Sequence, residues 1–92
     1  MQEPPELEQS LIEFPTAFPI KVMGKTQSGF AQTVVSIVQK HAPDFDPATL
    51  EMRSSREGNY LSVTATVQAS SREMLDALYQ ELCDSPLVTM VL

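Results

Sequence analysis

The sequence predicts an α+β fold in which four strands and two helices follow one another as β-α-β-β-α-β, and three observations predict it. Tyr60 to Ala69 alternates hydrogen-bonding and apolar residues, the period of a strand with one buried face. Two other stretches place their apolar groups three and four residues apart. These are Phe30, Val34, Ile37 and Val38 with His41, and Leu75, Leu78, Tyr79 and Leu82, each the stripe of an amphipathic helix. Proline, glycine and aspartate punctuate the boundaries between such stretches.

In chain order, residues 1 to 13 carry Pro4, Pro5 and four glutamates (Glu3, Glu6, Glu8, Glu13) without a base. This acidic leader either stays flexible or lays Leu11 and Ile12 on a domain spanning residues 14 to 92. Pro15 and Pro19 cannot donate to a ladder, which delays the first central strand to about Ile20. Ile20 and Val22 then point inward, and Gly24 ends the strand. Lys25 to Gly29 is a polar loop in which Thr26 or Ser28 can cap the first helix, and Ala42-Pro43 closes that helix. Asp44, Asp46 and Pro47 make a turn before a second strand at Leu50 to Ser54. Ser55 to Asn59 is a hairpin with Gly58 and Asn59 available for positive φ. After the long strand, Ser70 with Glu73 three residues on has the pattern of a capping box, and Asp84-Ser85-Pro86 stops the second helix. Val88 to Leu92 forms the last strand, with Val88, Met90 and Leu92 inward.

Right-handed crossovers over a short sheet put the first and third strands in the centre and both helices on one face. This is the ferredoxin-like sandwich, a four-stranded antiparallel sheet in order 4-1-3-2. Its other face is left open. There the sequence displays Lys21, Met23, Glu51, Arg53, Tyr60, Ser62, Thr64, Thr66, Gln68 and Thr89, with Val91 beside them.

Ninety-two residues suffice for one domain and one core. The formal charge of -6 comes from twelve acids against six bases. Without the leader's four acids, eight remain against six, so the body is only mildly acidic and offers no electrostatic footprint for a phosphate backbone. The single cysteine, Cys83, excludes an intramolecular disulfide and reads as a small core or boundary residue. The N-terminus has acids where a signal peptide needs bases, and no apolar run approaches the length of a membrane span. A cytoplasmic protein without a membrane segment is the expectation.

Several short motifs then carry a resemblance to a family: Phe14-Pro15, Phe18, Lys21-Val22-Met23-Gly24, His41-Ala42-Pro43, Ser54-Ser55, Gly58-Asn59-Tyr60, Ser62-Val63 and Met90-Val91-Leu92. In this order and spacing the sequence from Phe14 to Leu92 resembles the YbeD-like family of small bacterial proteins, with the acidic leader outside the match. The resemblance implies a fold akin to ACT regulatory domains, which bind amino acids or related effectors and pair through their sheets or edges. It implies no activity.

Two surfaces are candidates for function. The loop Gly24, Lys25, Thr26 and Ser28 leads to a helix N-terminus, where free amides and the helix dipole favour an anion such as a carboxylate. The open-face residues Lys21, Met23, Arg53, Tyr60, Ser62, Thr64, Thr66 and Thr89 could meet a second copy or a partner protein. A third grouping, His41 with Asp44 and Asp46, is an incomplete metal-ligand set; the aspartates form turns and His41 meets the last carbonyls of its helix. Neither Cys83 nor the serines have a base at hand, so no catalytic constellation is read and no cofactor is expected. The expected function is a non-enzymatic regulatory or adaptor module for a protein partner, a second copy or a small carboxylated metabolite. The alternative, nucleic-acid binding across the sheet, has only Tyr60 for base stacking and a net charge of the wrong sign.

Overall fold

The computed structural model describes residues 14–92, and the expectations for the acidic leader lie outside them. The elements are β1 (Thr16–Lys25), α1 (Phe30–His41), a 3-10 turn (Pro47–Thr49), β2 (Glu51–Ser54), β3 (Tyr60–Ala69), α2 (Arg72–Asp84) and β4 (Met90–Val91). The four strands form one antiparallel sheet in the order β2-β3-β1-β4, the expected order read from the other edge. Alternation along β3 does what its sequence dictates: Val63, Ala65, Val67 and Ala69 are buried toward the helices, and Thr66 and Gln68 are exposed. Ile20 and Val22 of β1 join them, facing Phe30, Val34, Ile37 and Val38 of α1 and Leu75, Leu78 and Leu82 of α2. Burying side chains of this size contributes roughly 1.5–3 kcal/mol each, so this layer supplies the driving force for folding.

β1 begins at Thr16 and runs through Pro19, four residues earlier than expected. The amide of Lys21 donates to Leu92, and residues two apart share a ladder side, so the nitrogen of Pro19 faces the β4 side of the strand. Among the described residues β4 and Leu92 reach only from Met23 back to Lys21. Pro19 therefore sits where no partner asks for its missing proton, which is the position a sheet allows a proline. Nor does Gly24 end the strand; it is buried within it. A Cβ there would stand 2.3 Å from the Leu87 carbonyl oxygen and 2.5 Å from the Phe30 ring, so glycine is what lets the α1 entry and the β4 entry close on the sheet.

The caps differ from the expectation as well. Gly29, at φ 87°, occupies the N-cap of α1 with no side-chain hydrogen bond, so neither Thr26 nor Ser28 caps the helix. Ser71, not Ser70, caps α2, its hydroxyl accepting from the Met74 amide at 3.1 Å. In the hairpin only Gly58 takes positive φ, at 79°, and the Tyr60 amide is held by the Ser55 hydroxyl.

β4 reverses the expected alternation. The turn Ser85–Val88 delivers Val88 against the core, and a bend at Thr89 absorbs one residue before pairing starts. Val91 then pairs with Val22 on the helix side, and Met90 pairs with Met23 on the open side. Met90 and Leu92 are 49% and 59% exposed instead of inward, and Val91 packs on the core. Cys83, expected in the core or at its boundary, is exposed. β2 lies beyond the helices: Met52 shares the helix side with its partner Val63 yet is 56% exposed.

Candidate functional site

The loop before α1 is more occupied than its sequence suggests. Gly24 is filled by Phe30 and Leu87, as above. The Thr26 amide donates to Asn59 at 2.9 Å, the Phe30 amide to Gln27 at 3.3 Å and the Thr33 amide to Gly29 at 2.9 Å, so several donors that an anion would use are already engaged. Lys25 and Thr26 instead border a hollow of about 490 Å³ with Gly58, Asn59 and Tyr60 of the hairpin. That volume is in the range of small-molecule sites. Neither Gly24 nor Ser28 lines it. The structure thus brings together two of the four loop residues and adds the hairpin to them.

The open face assembles most of its expected members. Lys21 and Glu51 flank Thr64 across the sheet, and Met23 and Arg53 flank Ser62. These are non-hydrogen-bonded pairs along β1 and β3, where side chains stand closest. A shallow hollow of about 270 Å³ lies among Lys21, Glu51, Arg53, Ser62 and Thr64. Tyr60, 47% exposed, is opposite Lys25 at one end, and Thr66 is opposite Pro19 toward the other. Thr89 lies at the bend outside the strand, its amide donating to the Met23 carbonyl at 2.7 Å. Met90 and Leu92 take the places on this face that Thr89 and Val91 were expected to hold. They extend the apolar part of the face beside Met23.

A third cluster joins the helices. Glu81 of α2 receives Lys40 on one carboxylate oxygen and meets His41 Nε2 at 2.7 Å on the other. His41 therefore reaches across to the second helix instead of folding back on its own carbonyls. Hydrogen bonds from Lys40 and then His41 hold the Glu81 carboxyl below its ordinary range. Local sequence gives no sign of this, since Glu81 is some forty residues from both partners. Asp46 has the expected turn role, accepting from the Ala48 amide at 3.0 Å. A hollow of about 430 Å³ lies past the end of α1, lined by His41, Asp44, Phe45, Thr66, Gln68 and Met74 among others. Tyr79 packs at the end of β4, its hydroxyl donating weakly to Leu92 at 3.4 Å, and burial pushes its pKa up.

Comparisons with known proteins agree with the fold. The solution structure of protein HP0495 from H. pylori superposes with a TM-score of 0.70 at 16% identity, covering 100% of this chain and 97% of the other. The solution structure of the ACT domain from the GTP pyrophosphokinase of Chlorobium tepidum gives 0.65 at 14% identity, covering 84% and 83%. At such identities the likeness is one of fold, and the fold is ACT-like. Among curated proteins, the UPF0250 protein of Nitrosomonas europaea is 65% identical over 92% of this chain and 98% of its own. That of Bordetella pertussis is 56% identical over 92% and 93%. The UPF0250 protein of Leptothrix cholodnii is 53% identical over the whole of both chains. The family model begins at residue 9, inside the stretch placed outside the resemblance. With a match over residues 9–92 to the family described as "Protein of unknown function (DUF493)", the chain belongs to that family, the YbeD-like one its motifs resemble.

Proposed function

We propose that the chain is a non-enzymatic regulatory or adaptor module of the cytoplasm, which acts by binding a protein partner, a second copy or a small carboxylated metabolite. The observation that carries this reading is a rigid ACT-like sheet with both helices on one face and, on the other, lysine, arginine, methionine and hydroxyl side chains held in fixed register. Side chains anchored on strands are pre-organised, so a surface of this kind binds without first ordering itself. The hollow between Lys25 and the hairpin supports the small-molecule version of the reading, because a cation borders it together with Thr26, Asn59 and Tyr60. No helix among the described residues is long and apolar enough to cross a membrane.

Three measurements on the full chain test the proposal. A melting-temperature screen against amino acids and short-chain acids should find a stabilising ligand whose effect Lys25→Glu removes, since a ligand that binds only the folded state raises its stability. Affinity capture from native extract should otherwise return a stoichiometric protein partner. A turnover that survives purification and disappears in Cys83→Ala or His41→Ala would overturn the non-enzymatic reading.

A further inference from the structure

The charges of the folded domain are sorted by face. α2 carries Glu73, Asp76, Glu81 and Asp84 against Arg72 as its one base, and both helical bases are engaged: Lys40 on Glu81, and Arg72 on Asp76 at 3.9 Å. On the open face the balance is reversed. Lys21, Lys25 and Arg53 project there against Glu51 alone, and among the described residues none of the three bases is in an ion pair. Among the described residues, a chain of net charge -6 thus turns three of its four unpaired bases to the sheet surface that neither helix covers, the fourth, Arg56, lying in the hairpin. The same surface displays the side chains of Met90 and Tyr60, about half exposed, with Met23 beside Met90.

From this arrangement we infer that the open sheet face docks an acidic segment of another protein: carboxylates of the segment meet Lys21, Lys25 and Arg53, and its apolar side chains seat on Met23, Met90 and Tyr60. The inference rests on the adaptor reading above and names the partner's chemistry. Charge complementarity selects this occupant. Two copies placed face to face would set three bases and one acid against the same net-positive set, which opposes association. A nucleic acid would need a run of stacking aromatics, whereas the face has one, at the end of β3, and Glu51 adds a negative charge beside Arg53 on β2. Methionine suits an apolar seat that must accept side chains of more than one shape.

The test uses the full chain and three labelled probes followed by fluorescence anisotropy: a synthetic peptide with glutamates on one stripe and leucines on the other, the same peptide with lysine for glutamate, and a single-stranded RNA. The acidic peptide should bind and the other two should not, and binding should weaken as salt screens the exposed charges. Reversing two cations in Lys21→Glu/Arg53→Glu should raise the dissociation constant about tenfold or more, while Arg72→Glu on the helical side leaves it unchanged. Met90→Ser provides an independent arm that changes no charge, and it should also weaken binding. Tighter binding of RNA than of the acidic peptide would overturn the inference. So would unaltered affinity in the double variant with its circular dichroism intact, or a dimer in sedimentation that the double variant dissolves. If the acidic peptide fails while a metabolite or captured partner still binds, this assignment of the face falls and the adaptor reading stands.

Discussion

At Gly24 a hydrogen in place of a methyl group lets two separate chain entries meet the same point of the sheet. The carbonyl of Leu87 is backbone and cannot move aside as a flexible side chain would, and the Phe30 ring is fully buried. Gly24→Ala should therefore cost about 2–3 kcal/mol by overpacking, a fall in melting temperature of about 10 °C or more for a domain of this size. Calorimetry checks it. A Gly24 substitution cannot by itself probe ligand binding, because it disturbs the core first. At Glu81 the sign of the pH effect follows from the direction of its shift. The carboxyl titrates below its ordinary value of 4.5 when folded, so its contribution to stability is present above that value and is lost as pH falls through the folded-state pKa. Wild-type chain should be more stable than Glu81→Gln at pH 7, and the difference should close in acid; denaturant midpoints measured from pH 7 down to about 3 would show it.

At the scale of elements, the periods were legible and the junctions were not. β3 and both helices follow from spacing, because a sheet or helix buried on one side must repeat apolar groups at its own period. Capping depended on a single residue of register: Ser70 and Ser71 are adjacent and chemically identical, and only the path of the chain out of β3 decides which hydroxyl meets the α2 amides. Ser71→Ala should cost about 1 kcal/mol and Ser70→Ala less than about 0.5, read from denaturant unfolding. The last strand departs from its sequence pattern for a related reason. An alternation running unbroken from Val88 is shifted by the bend at Thr89, whose amide donates to the Met23 carbonyl of β1, a long-range contact that local sequence does not hold. Of the candidate sites, the open face was legible in its β1, β2 and β3 members, which follow the strand period. The loop was legible in Lys25 and Thr26 only, since what else borders its hollow is a hairpin some thirty residues away.

For the whole molecule, the two-layer arrangement separates what holds the fold from what is free to bind. The helices, the buried face of the sheet and the Glu81 bridge belong to the first; the open face, on the proposal above, belongs to the second. If that face pairs with a second copy, Thr64→Glu should shift the sedimentation mass toward monomer with the helical signal unchanged, because Thr64 stands between Lys21 and Glu51 at the middle of the surface. An unchanged mass would leave a different molecule as the occupant. The path of β1 carries one further consequence. Where β1 extends past Leu92, no strand among the described residues pairs with its outer flank, and an unpaired flank is the geometry from which fibrils grow. Pro19 interrupts the donors of that flank, so an incoming strand finds a gap where it would need a hydrogen bond. A residue that looked like an obstacle to the sheet thus acts as a guard on it, and Pro19→Val should leave the fold in place while making concentrated solutions prone to thioflavin-positive aggregation.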